Sequence, residues 1–109
     1  MSKIHIKTPF FMFNPKSYLY GDEMVEMAKV AEEMAVKYPE ASVFVTCPFA
    51  SISQVAAVTD KAIVSAQHLD GIKPGRGMGH VLPEALKAAG AQASFINHAE
   101  RPLTFDEII

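Results

Sequence analysis

The chain is 109 residues long, 50% apolar and 20% charged, with 10 Lys and Arg against 12 Asp and Glu for a formal net charge of -2. That is a globular composition of one-domain length, with no electrostatic footprint for nucleic acid or an anionic membrane and no uncharged run near the ~18 residues of a membrane span. The N-terminus lacks the apolar stretch of a signal peptide, and a single cysteine, Cys47, excludes a disulfide framework or Cys-cluster metal site, so a cytoplasmic location is expected.

In chain order, Phe10-Phe11-Met12-Phe13 follows Pro9 and reads as a buried strand. Met24, Met27, Ala28, Ala31, Met34, Ala35 and Tyr38 then recur at steps of three and four, with Glu23, Glu26, Lys29, Glu32, Glu33 and Lys37 opposite. This predicts an amphipathic helix over 22–38, with Asp22 as N-cap, Pro39 beyond its end and the methionines in the core. The β-branched run 42–46 is a second strand, 51–58 a short helix and 62–66 a third strand. A Gly/Pro-punctuated loop spans 67–82, Pro83 opens a helix that Gly90 stops, and 93–97 forms a fourth strand. Thr104-Phe105-Asp106-Glu107 has the form of a capping box and begins another helix.

The order βαβαβαβ, with strands apolar on both faces, predicts an α/β fold with a parallel sheet and right-handed crossovers. The helices suffice to cover one face, as in a closed (β/α)8 barrel whose other strand face turns inward, and closure takes about 250 residues. Residues 1–109 are therefore expected to form a partial barrel domain of about four βα units, with strands near 10–13, 42–46, 62–66 and 93–97.

Such folds gather their chemistry at the C-terminal ends of the strands. Here those ends carry Asn14, Pro15 and Lys16; Thr46 and Cys47; Gln67 and His68; and Asn97, His98, Glu100 and Arg101. A lysine offers a point charge to an anion, while histidine and asparagine can hydrogen-bond a carbonyl oxygen that gains charge on enolisation, which suits a phosphorylated carbonyl substrate. Blander readings stand beside this one: His98 as a capping or solvent-facing residue, Lys16 as a solvated lysine, and Glu100 with Arg101 as a buried ion pair. The glycine-rich stretch 72–80 lacks the spacing of a nucleotide-binding loop and reads as a protruding association loop with Met78 as an adaptable apolar contact. His68 and His80 lack the spacing of a helical metal pair, so no metal site is expected, and Cys47 reads as a small packing residue.

Asn14-Pro15-Lys16, Ala66-Gln67 and His98-Ala99-Glu100-Arg101, in that order, resemble the triosephosphate isomerase family, in which strand one ends in Asn-x-Lys and strand four in His-Ser-Glu-Arg. The segment from Gly77 through Pro83, Leu86 and Lys87 to Gly90 resembles that family's projecting loop and following helix. The resemblance implies a TIM barrel and a cofactor-free aldose–ketose isomerisation through an enediolate. Dihydroxyacetone phosphate and glyceraldehyde 3-phosphate would be the interconverted pair, a step of glycolysis and gluconeogenesis. The family is itself the standard example of a carboxylate base working with a neutral histidine electrophile under a closing loop.

Carried over by position, His98 is the electrophile, Lys16 holds the phosphate and offsets enediolate charge, and Asn14 hydrogen-bonds the substrate. Glu100 stands beside them, and Arg101 and Gln67 act as supports. Met78 stands where the family's dimer loop has a threonine reaching the neighbouring subunit, which implies a homodimer. The family's base follows strand six and its main phosphate-binding amides follow strands seven and eight, so these 109 residues alone are expected to be inactive. Departures surround the substrate: Pro15 for tryptophan, Ser17-Tyr18-Leu19 for Met-Asn-Gly, Asn97 for glycine and Ala99 for serine. They leave open an isomerase of a related tetrulose phosphate, or a non-catalytic truncated paralogue or interaction module.

Overall fold

Each strand-forming run pairs with the run that precedes it, because the helix between them returns the chain to the same end of the sheet. In the computed structural model, which describes residues 4–109, this gives one parallel sheet of order β1-β2-β3-β4. Its strands are β1 Phe10–Phe13, β2 Ser42–Cys47, β3 Ile63–Ala66 and β4 Ala93–Ser94. Helix α1 (Gly21–Lys37) joins β1 to β2, a 3-10 turn (Phe49–Ser51) runs into α2 (Ile52–Ala57), α3 (Pro83–Ala89) precedes β4, and α4 (Phe105–Ile108) follows it. The α/β class read from the sequence is the observed one.

The core lies between one sheet face and the helices. Val43, Val45 and Cys47 of β2 with Val64 and Ala66 of β3 meet Met24, Ala28 and Ala31 of α1, Ile52 and Val55 of α2, and Leu86 of α3. Alanines along the buried stripe of α1 let that helix lie close to the sheet. Its polar face is also put to use, since the Glu32 carboxylate accepts the backbone N–H groups of Asp60 (3.0 Å), Lys61 (2.9 Å) and Ala62 (2.8 Å) in the turn that launches β3. Burial pushes that carboxyl up, but the three amides and the Lys61 charge outweigh it and hold it below the usual glutamate range.

Several local expectations are corrected. The N-cap of α1 is Tyr20, in extended conformation and with no side-chain cap, while Asp22 sits inside the first turn, where its charge faces the helix dipole. Tyr38 lies past the helix end and is exposed. Strand β1 is not buried: Phe10, Phe11 and Met12 are about half exposed, because β1 is the sheet edge and no strand flanks its outer side among the described residues. Strand β4 is two residues long rather than the five expected over 93–97. Phe95 N–H still reaches the Ala66 carbonyl at 3.0 Å, and then Asn97 at φ 55° turns the chain out of the sheet. Gly90 ends α3 in the left-handed conformation, and Thr104 and Glu107 form the expected reciprocal capping box. Since all four strands run parallel, the segments following β1, β3 and β4 emerge along one rim.

Candidate active site

The segments after β1, β3 and β4 build that rim, and the turns after β1 and β4 are each locked by their own side chains. After β1, the Asn14 carboxamide oxygen accepts the Lys16 N–H at 3.0 Å and Tyr18 N–H bonds the Pro15 carbonyl at 3.0 Å, forming a tight turn. Lys16 sits at φ 54° within it, a left-handed conformation that costs a β-carbon-bearing residue about 1–2 kcal/mol. From the end of β3, the Gln67 side-chain amide donates to the Lys16 carbonyl and holds that conformation from the other side.

After β4, Asn97 takes the second left-handed non-glycine position, its side-chain oxygen accepting Leu103 N–H at 2.8 Å. Asparagine tolerates this region better than most residues, which explains how it can stand where a glycine is usual. Arg101 N–H bonds the His98 carbonyl at 2.8 Å and closes the turn.

Within that turn the Glu100 N–H donates to His98 Nδ1 at 3.1 Å. An accepting Nδ1 assigns the neutral ring's proton to Nε2, so the ring offers one N–H donor on the side away from the turn. The Glu100 carboxylate lies 3.8 Å from both His98 Nδ1 and Lys16 Nζ, beyond hydrogen-bond range, and so attracts the Lys16 ammonium by charge while standing beside the neutral imidazole. Glu100 and Arg101 do not form the buried pair that the sequence allowed; both are exposed. Phe95 braces the imidazole edge-to-face, with ring centroids 6.4 Å apart.

Asn14, Lys16, Gln67, His98, Glu100 and Arg101 line one cleft of about 370 Å³. Of the strand-end residues named from sequence, His68 lines the cleft as well, while Pro15 and Asn97 do not; Met78 stands apart, fully exposed on the projecting loop. Thr46 and Cys47, at the end of β2, are buried and do not line the cleft. Desolvation pushes the Cys47 thiol up to about 11, so it is no nucleophile at neutral pH. Ser17 also lines the cleft, and Phe49, Val81 and Phe95 contribute apolar walls that sequence reasoning did not single out. Phe49 was legible only as an apolar residue two positions past the β2 end. The cleft thus offers an ammonium for an anion, and an imidazole N–H and a carboxamide for an oxygen.

A family model of triosephosphate isomerase matches residues 9–109. The chain is 39% identical over 106 residues to a triosephosphate isomerase of Metallosphaera sedula and 33% identical over 105 to that of Sulfurisphaera tokodaii, covering 94% of this chain and 45% of each relative. It is 38% identical over 104 residues to the enzyme of Methanoculleus marisnigri, covering 93% of this chain and 46% of that one. The chain thus spans a little under half the length of these relatives.

Proposed function

The chain belongs to the triosephosphate isomerase family, and on that premise we propose that its cleft is the electrophilic side of an aldose–ketose isomerase acting on a phosphorylated triose. His98 Nε2–H hydrogen-bonds the substrate carbonyl oxygen and stabilises it as charge develops in the enediolate, while a neutral ring can pass a proton between adjacent oxygens. Lys16 pairs with the phosphate and offsets enediolate charge, and Asn14 orients the substrate through its free amide. Glu100 keeps Lys16 and the back of the imidazole in place. Gln67 and Arg101 support these groups from the rim.

The observation that carries this reading is the Glu100 N–H bond to His98 Nδ1, which leaves the reacting nitrogen as a donor. Enolisation also needs a base at the substrate carbon. Glu100 is the only carboxylate lining this cleft among the described residues, and it faces the Nδ1 side of the ring rather than the Nε2 side. The base is then supplied from outside these elements, and the 109 residues alone are inactive. A homodimer through the projecting loop, with Met78 at its exposed tip, belongs to the same proposal.

The test joins residues 1–109 to the non-matching remainder of the Metallosphaera sedula relative and follows interconversion of dihydroxyacetone phosphate and glyceraldehyde 3-phosphate. The chimera is expected to turn over triose phosphate, with His98→Gln lowering kcat by about 10²–10³-fold and Lys16→Met lowering kcat/KM further. Faster turnover of a tetrulose phosphate than of the triose would move the substrate to the longer sugar. A folded chimera without either activity, or full activity in His98→Gln, would refute the reading.

A further inference from the structure

His68 is buried at the end of β3, and the isomerisation scheme above gives it no task. Its Nε2 lies 2.8 Å from Asp70 Oδ1, and the other oxygen of Asp70 accepts Val81 N–H at 2.7 Å. Asp70 N–H in turn bonds the Val81 carbonyl at 2.9 Å, so residues 70 and 81 pinch the neck of the projecting loop between them. Both carboxylate oxygens are engaged, and the Val81 amide and then His68 hold Asp70 below the usual aspartate range.

At that same ring nitrogen His68 meets the 98–101 turn, where Arg101 Nε–H points to His68 Nε2 at 3.5 Å. Nε2 thus has the Asp70 carboxylate and the Arg101 guanidinium as its two polar neighbours, the former the closer, and the ring joins the loop neck to the turn. Helix α4 closes the junction from below, since a Cβ on Gly71 would lie 2.8 Å from the Glu107 carbonyl oxygen. The charged and titratable groups around the pair are thus Arg101 on the turn, Glu107 on α4 and His80 on the loop.

We propose that His68, bonded to Asp70, is a positioning residue that ties the neck of the 71–80 loop to the 98–101 turn and so sets the direction of the His98 ring. A displacement of the loop neck is carried through His68 and Arg101 into the turn whose Glu100 amide holds His98 Nδ1. The catalytic meaning of the link rests on the role given to His98 above, whereas the link itself can be read without turnover.

Two measurements on the 15N-labelled protein test it: the ring-nitrogen resonances of His98, and trypsin cleavage after Arg76 in the loop. His68→Gln and Asp70→Asn are expected to shift the His98 ring resonances and to speed cleavage by about tenfold, as a buried charge-assisted hydrogen bond is lost. Arg101→Gln, an exposed site suited to the case in which the buried variants fail to fold, is expected to shift the His98 resonances while cleavage stays at the parent rate. His98 resonances that superimpose on the parent's in Arg101→Gln, or in a folded His68→Gln, overturn the proposal. Absence of isomerase turnover would count against the role of His98 and would leave both readouts intact.

Discussion

Lys16 illustrates how the site stores a cost in order to aim a charge. Its left-handed backbone is unfavourable, and two side chains from different strands hold it there, Asn14 through the amide and Gln67 through the carbonyl. Replacing Gln67 with alanine releases one of them without removing any group assigned to the substrate. The expected result in the chimera is a KM for triose phosphate raised several-fold with a smaller change in kcat, measured by steady-state kinetics; equal losses in kcat and kcat/KM would show that Gln67 acts on the transition state instead.

Glu32 carries a prediction about acid. Its carboxyl is depressed in the folded chain, so its contribution to stability is present above the ordinary glutamate range and is lost as pH falls through the depressed value. Glu32→Gln should therefore lower stability by about 1 kcal/mol at neutral pH. The gap between variant and parent in urea melts should close on acidification. At this scale the sequence displayed residue types at strand ends but not their partners. That Gln67 reaches the Lys16 carbonyl across 51 positions, or that His98 Nδ1 is an acceptor, depends on backbone geometry that no spacing rule encodes.

The elements were legible in proportion to how much of their own length decided them. Helix α1 showed itself through Met24, Ala28, Ala31 and Ala35 on one stripe, and Gly90 and the Thr104 box marked ends that need no distant partner. The start of α1 was misread because Asp22 is a good cap by type, whereas the chain bends one residue earlier, at Gly21 with φ 57°. The end of β4 was overrun because an apolar run such as Phe95-Ile96 does not reveal the left-handed turn at Asn97. Gly90 is also where two helices meet, since a Cβ there would come within 2.5 Å of the Ala56 Cβ at a backbone φ of 118°. Gly90→Ala thus meets strain and a clash together and should lower stability by more than about 1 kcal/mol, seen as a depressed Tm by calorimetry.

Across the whole molecule, the parallel topology followed from alternating periods, while the fate of β1 did not. Its four apolar residues look like any buried strand, and only the sheet order reveals that it lies at an edge. Phe10, Phe11 and Met12 leave an apolar strip along an edge that no strand flanks among the described residues, a template for association. The 109 residues expressed as they stand are expected to self-associate with concentration in sedimentation velocity runs, and Phe11→Lys to reduce it; a parent that stays monomeric would show the strip to be harmless.

The grip of Glu32 on the turn before β3 joins positions up to 30 residues apart, and so sets an order of events at the ribosome. While α1 and β2 are emerging, the Glu32 carboxylate has only water to bind; it gains its amides once Ala62 has left the exit tunnel. A pause in translation upstream of that codon would leave the first helix held by apolar packing alone, and resumption would fasten it to the third strand.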